Sequence, residues 1–478
     1  MSNSETKKNM FRILITMKLA LFLSAGMQAQ HIDGSWQGTL KAGTNEIGFV
    51  FDIETVDGNL AATMSIPGRN LRNLKAKATT FEDGELFIDG SNYGWEYRGT
   101  FNEEKSTFEG KFKEGVNQLP LNLAKAEAGA KTEARVKRPQ EPEMPLPYQA
   151  EEVVFKNEKA GIQLAGTLTL PAGVENPPVA ILITGSGPQN RDQEIFGHKP
   201  FLVLSDYLTR NGIAVLRYDD RGVNGSTGDF SGATTADFAT DAMAAVNYLK
   251  TRDDVNLNQI GLIGHSEGGI VAPLVITEIP RDIAFFVNLA GTGLSGYETS
   301  LQQALHSAKG RVPDFEAYET FMRGVLDIAS AKEDIEVVRE KLAAHYMSSD
   351  FFHGSIPEGA DKQTILNGLI DVRTNPWTRY FYNYTPADVY RKVKCPVLSL
   401  NGTKDTQVFA KPNQEAIREA LKKARNKDYT IMEIEGQNHF FQQAETGESS
   451  EYSEIEETFS PKTMEIIKNW ILERTAKG

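Results

Sequence analysis

The chain has 478 residues, 40% of them hydrophobic and 24% charged, with a formal net charge of −13. That balance excludes disordered and collagen-like classes, and the length predicts two or three domains with a sizeable core. The acidic charge repels nucleic acid and anionic membrane surfaces, no stretch reaches the roughly 18 unbroken apolar residues of a membrane span, and the single Cys395 excludes an internal disulfide.

Lys7, Lys8, Arg12 and Lys18 precede the apolar run 19–23 and the small residues Ser24-Ala25-Gly26, the layout of an export signal. Residues 1–29 therefore read as a signal peptide cut after Ala29, with Gly26 as the other choice, and the protein as periplasmic or extracellular. Losing the segment's net charge of +3 takes the chain from −13 to −16. From about 30 to 125, alternating runs such as 47–53, 60–66 and 97–101 are broken by Asp57-Gly58-Asn59, Asp83-Gly84 and Asp89-Gly90. Alternation of that period with turns of that chemistry predicts a small antiparallel β-barrel or sandwich, either a binding module or a packing unit. Residues 126–150 carry Pro139, Pro142, Pro145 and Pro147 among charges and read as a stiff linker.

From 151 the rhythm becomes strand and helix in alternation, which predicts βαβ units and a parallel sheet. Strands are expected at 153–155, 162–169, 179–184, 214–218, 260–263, 285–289, 397–401 and 430–435, and helices at 201–211, 235–251, 269–279, 414–424 and 461–475. The middle strands are continuous apolar runs, as strands covered on both faces require. Between 294 and 387 the strand signal vanishes, so a helical cap is expected there. It ends in Trp377, Tyr380, Phe381, Tyr382 and Tyr384, which either line a pocket or hold the cap together.

The segment Gly264-His265-Ser266-Glu267-Gly268 follows the apolar run 260–263 and leads into a helical pattern. This is the pattern of a nucleophile elbow, in which a crowded turn lifts a serine above a sheet and needs small residues two before and two after it. A serine hydroxyl needs a base, and of seven histidines only His439 directly follows the last strand-like run. The imidazole needs an acid, which Asp405 supplies after the strand ending in Asn401-Gly402. The order Ser266, Asp405, His439 is that of α/β-hydrolases. Oxyanion donors are expected from the backbone N–H of Glu267 and from Ser186, preferred over Gly187, in Thr184-Gly185-Ser186-Gly187-Pro188. Neither a metal nor a cofactor is implied: ligand spacing is absent, and 222–228 lacks the lysine of a phosphate loop.

With Leu164-Ala165-Gly166-Thr167-Leu168, the run Gly185 to Asp192 and Tyr218-Asp219-Asp220-Arg221-Gly222, these stretches make residues 151–478 resemble a known family. It is that of bacterial α/β-hydrolase carboxylesterases related to dienelactone hydrolases and prolyl oligopeptidases. The resemblance implies a mostly parallel eight-stranded sheet flanked by helices, and hydrolysis of a small-molecule or glycan-borne ester through an acyl-enzyme. An exopeptidase or polysaccharide deacylase on the same triad is the alternative, followed by an inactive binding protein on the scaffold. Many relatives carry His-Gly where this chain has Thr184-Gly185. Asp219, Asp220 and Arg221 read as a loop-fixing ion pair, and the Glu267 side chain has no legible role. Oligomeric state is not legible either.

Overall fold

In a computed structural model the described residues are 32–42, 45–56, 58–66, 71–93, 95–114, 117–126, 138–356 and 361–476. The expected signal segment 1–29 and residues 127–137 of the linker lie outside them.

The turn-punctuated region folds into one antiparallel sheet. Its strands are β1 (Gly34–Ala42), β2 (Asn45–Val56), β3 (Asn59–Ile66), β4 (Leu71–Lys75), β5 (Ala78–Glu82), β6 (Glu85–Gly90), β7 (Trp95–Asn102), β8 (Thr107–Glu114), β9 (Asn117–Pro120) and β10 (Leu123–Lys125). They run in the order β4-β3-β2-β1-β10-β8-β7-β6-β5, with β9 on β8. Alternate residues, among them Trp36, Phe51, Met64, Leu86, Tyr97 and Phe108, bury into a single core, so the sheet curls as a half-barrel rather than splitting into a sandwich. Trp36 anchors it, donating Nε1–H to the Ile32 carbonyl at 2.8 Å and meeting Phe108 edge-on at 4.6 Å. Tyr93 reaches out to the second sheet's side, its hydroxyl donating to the Gly222 carbonyl at 2.7 Å.

The second sheet contains β11 (Gln149–Asn157), β12 (Ile162–Leu170), β13 (Val179–Ile183), β14 (Ala214–Tyr218), β15 (Ile260–His265), β16 (Phe285–Leu289), β17 (Val397–Gly402) and β18 (Tyr429–Ile434). The order is β11-β12-β14-β13-β15-β16-β17-β18. Only β12 opposes its neighbours; from β14 onward every pair is parallel. This is the α/β-hydrolase fold.

Helices α1 (Pro200–Arg210), α2 (Thr235–Leu249) and α3 (Gly268–Glu278) follow β13, β14 and β15. Between β16 and β17 come α4 (Gly296–Ala308), α5 (Phe315–Ser330), α6 (Ile335–Met347), α7 (Asp350–Gly354), α8 (Lys362–Thr374), α9 (Pro376–Asn383) and α10 (Pro386–Tyr390). They form a cap around Val325, Leu326, Val338 and Leu342. Helices α11 (Ala410–Lys423) and α12 (Pro461–Thr475) complete the chain.

Successive residues of a strand point to opposite faces, so each central strand feeds two cores. Ile181 and Ile183 meet α2, α3 and α11 on one side. Ala180 and Leu182 meet α1 and α12 on the other. Helix α3 has no polar face, and every residue from Gly268 to Ile276 except Leu274 is buried, as a helix with core on nearly all sides must be. Its Pro273 cannot donate to the Gly269 carbonyl, and the Tyr390 hydroxyl takes that acceptor at 3.3 Å.

The proline-rich end, read from sequence as a spacer, is tied down. Arg138 donates to the Ser453 carbonyl at 2.6 Å, and the Gln140 amide donates to Phe459 O at 2.7 Å while accepting from Thr458 N at 2.6 Å. Side chains there supply contacts that proline backbone cannot. Cys395 is partly buried, and burial pushes its thiol up to about 12. Among the described residues no helix is long and apolar enough to cross a membrane.

Candidate active site

The sequence-predicted residues all stand where strands end: Ser186 beyond β13, Ser266 and Glu267 beyond β15, Asp405 beyond β17 and His439 beyond β18. In an open α/β sheet the loops at these carboxyl ends form the binding crevice.

Ser266 sits at φ +52°, a left-handed value that side chains rarely adopt. The flanking glycines let it. A Cβ on Gly264 would lie 2.1 Å from the Gly268 carbonyl oxygen, and one on Gly268 would lie 2.2 Å from the Ile183 oxygen. The strained residue is held by its own N–H, which donates to the Leu289 carbonyl at 2.8 Å. Because both clashing atoms are backbone, Gly268→Ala is expected to cost about 3 kcal/mol or more and to displace the turn. Urea denaturation checks it; an unchanged midpoint would deny the close approach.

His439 Nδ1 lies 2.7 Å from Asp405 Oδ2, and both residues are buried. The other oxygen, Oδ1, accepts the backbone N–H groups of Gln407 and Val408, each at 2.8 Å. One carboxylate oxygen is thus fixed by the loop and the other faces the imidazole. Ser266 is tied to this pair through its neighbour His265, which sequence reasoning passed over. His265 Nε2 donates to the His439 carbonyl at 2.9 Å, and Nδ1 accepts from the Gln193 amide at 2.8 Å. A carbonyl partner requires the proton on Nε2. Burial lowers the His265 pKa to about 3, so this ring stays a neutral strut.

Among the described residues no protein acceptor takes the backbone N–H of Ser186 or of Glu267. Both residues line, with Ser266, a cavity of about 340 Å³ beneath the cap. The loop carrying Ser186 is braced by Asp220, whose Oδ1 accepts from Thr184 Oγ1 at 2.7 Å and whose Oδ2 accepts from Gln189 N at 2.9 Å. Thr184, the departure from His-Gly, therefore has a local task. The loop-fixing ion pairing expected of 219–221 is present, and its partners lie outside the segment. Asp219 pairs with Arg191 at 2.7 Å and Arg221 with Asp241 at 2.7 Å. The three residues still fix loops, each through a different partner.

The Glu267 side chain also acquires a role. Its Oε1 accepts from Thr235 Oγ1 at 2.6 Å and from Trp377 Nε1 at 2.7 Å, and the Ser186 hydroxyl is a further donor. Burial holds its pKa above the ordinary carboxylate value, and these donors offset only part of that rise. One carboxyl thereby joins the elbow, the start of α2, the Ser186 loop and the cap. The aromatic cluster divides its work: Trp377 stacks on Phe381 at 5.3 Å and both line the cavity with Tyr382, whereas Tyr384 is buried. Among the described residues no group of three His, Cys, Asp or Glu side chains is placed to hold a metal ion.

Sheet order and elbow together define a protein of the α/β-hydrolase class. A family model described as X-Pro dipeptidyl-peptidase (S15 family) matches residues 129–433, and the chain belongs to that family. The Thermotoga maritima protein Esterase EstD is 25% identical over 259 residues, 54% of this chain and 53% of the relative; the match thus spans about half the length of that protein. Two solved structures are similar at lower identity. Est1E from Butyrivibrio proteoclasticus, with ferulic acid bound, shares 20% identity with a TM-score of 0.40, covering 68% of this chain and 99% of that one. An esterase of Pyrococcus furiosus shares 16% with a TM-score of 0.41, covering 69% and 94%.

Proposed function

We propose that the protein is a serine carboxylic ester hydrolase acting on short to medium acyl esters. Ser266 Oγ attacks the acyl carbon, His439 takes the hydroxyl proton, and Asp405 holds the imidazole in the accepting tautomer and stabilises its charged form. The N–H groups of Ser186 and Glu267 bind the oxyanion. His439 then protonates the departing alcohol, and water under the same base releases the acid from the acyl-enzyme.

The observation that carries this reading is the buried 2.7 Å Asp405–His439 contact in the loops beyond β17 and β18, together with a serine held at φ +52°. The esterase relative supports ester over amide. A cavity of about 340 Å³ lies near the small end of the range of about 300–1,000 Å³ for ligand sites. The family description favours a second reading, release of X-Pro dipeptides.

Turnover of 4-nitrophenyl acetate, butyrate and octanoate against Gly-Pro-4-nitroanilide separates the two. The expected result is fluorophosphonate labelling, with kcat/KM for the best ester about 100-fold or more above that for the anilide. Faster turnover of the anilide would transfer the site to the dipeptidase reading. No labelling and no turnover would leave a binding protein.

A further inference from the structure

We propose that Arg373 of the cap binds an anionic group of the substrate, so that the preferred esters carry a carboxylate a few atoms from the scissile bond. The proposal rests on the ester-hydrolase reading above and names its substrate class.

Arg373 lies at the end of α8 and lines the same cavity as Ser266. A space of about 340 Å³ is of single-ligand size, so one small molecule spans both residues. Arg373 Nη1 donates to the Tyr382 hydroxyl at 2.6 Å, and the Tyr346 hydroxyl is its second phenolic contact. A phenol hydroxyl hydrogen-bonds a guanidinium without neutralising it, and burial pushes Tyr346 further from ionisation.

The nearby carboxylates are occupied. Asp371, two residues earlier, pairs with Arg339 at 2.7 Å. Glu267, the one acid on the cavity wall among the described residues, is closed off by Thr235 and Trp377. Among the described residues Arg373 has no carboxylate within 4.0 Å. A guanidinium is permanently charged and offers five N–H donors in a planar fork. Two tyrosines aim this fork but do not neutralise it. Pinning the cap needs only hydrogen bonds, whereas a partly buried charge facing a ligand cavity is stabilised by an anion. The same charge opposes the free ammonium group of a dipeptide substrate.

The test uses two matched ester pairs on the full chain: 4-nitrophenyl hydrogen glutarate against 4-nitrophenyl valerate, and 4-carboxyphenyl butyrate against phenyl butyrate. The first places the charge on the acyl side, the second on the leaving side. In at least one pair kcat/KM for the acidic member should exceed that of the neutral one by about tenfold or more, chiefly through KM, and Arg373→Gln should lower that ratio by about 10- to 100-fold. Arg373→Lys, which keeps the charge and loses the fork, should fall between. Equal rates within both pairs, or an equal fall of both members in the variants, would overturn the proposal. Glutarate binding to Ser266→Ala, followed by calorimetry, separates the two readings. If wild type hydrolyses no ester yet glutarate binding disappears in Ser266→Ala/Arg373→Gln, the ester reading fails and the anion site stands. No hydrolysis together with no Arg373-dependent binding overturns both.

Discussion

Ser266→Ala is expected to lower kcat for a 4-nitrophenyl ester by about a millionfold and to abolish fluorophosphonate labelling. The size follows from how little else the hydroxyl does. The strain of the elbow resides in the backbone at φ +52°, which alanine shares, and the N–H that ties the turn to Leu289 is untouched. Gly264 and Gly268 keep their close approaches, so melting temperature should not move. What remains is the contribution of the N–H donors at Ser186 and Glu267 and of binding, about 10³- to 10⁴-fold over water. Steady-state rates with active-site titration check this, with thermal melts as the control for folding. A folded variant retaining one part in a hundred of the wild-type rate would remove Ser266 from the nucleophile's role.

The framework of this site was legible because sterics and burial leave marks at fixed spacing. Strands β13 to β16 are covered on both faces and so read as mostly apolar runs, interrupted by Arg217, His265 and Asn288. The elbow shows because two backbone clashes at 2.1 and 2.2 Å admit only glycine. His439 and Asp405 show because loops beyond the last strands have few candidates. The rest depended on partners far away in sequence. His265 and Glu267 occupy the free positions of G-x-S-x-G, and what they do is set by Gln193, the His439 carbonyl, Thr235 and Trp377. No local pattern encodes a bond across the 110 residues between Glu267 and Trp377.

The same limit applies to what local pattern left open elsewhere. Alternation in the N-terminal region fixed which residues face inward but not whether the sheet closes, splits or curls; that is decided by β1 meeting β10 and β10 meeting β8. Gln140 reads as part of a spacer until Phe459 and Thr458, more than 300 residues on, take up its amide. In the cap, amphipathic periods mark helices but not the direction in which α8 turns Arg373.

Asp405→Asn is expected to lower kcat by about ten-thousandfold while leaving KM and stability nearly unchanged. The structure dictates how asparagine must sit. Oδ1 accepts two backbone N–H groups, from Gln407 and Val408, so the amide oxygen has to stay there. The amide NH₂ then takes the place of Oδ2, 2.7 Å from His439 Nδ1. A donor at that point demands the lone pair of Nδ1 and drives the imidazole proton to Nε2, the nitrogen that must accept from Ser266. The variant therefore holds the base in the tautomer that cannot act, and it removes the charge that stabilises the imidazolium. Because Asp405 is not on the cavity wall, ground-state binding of the ester is spared. Asp405→Ala makes the opposite error. It strands the Gln407 and Val408 N–H groups in a buried loop, at about 1–3 kcal/mol, and should melt earlier than Asp405→Asn. Rates at saturating ester together with thermal melts of both variants separate the two tasks of this side chain. If Asp405→Asn kept a tenth of kcat, Asp405 would be only a turn residue that holds the loop, and another acid would have to orient His439.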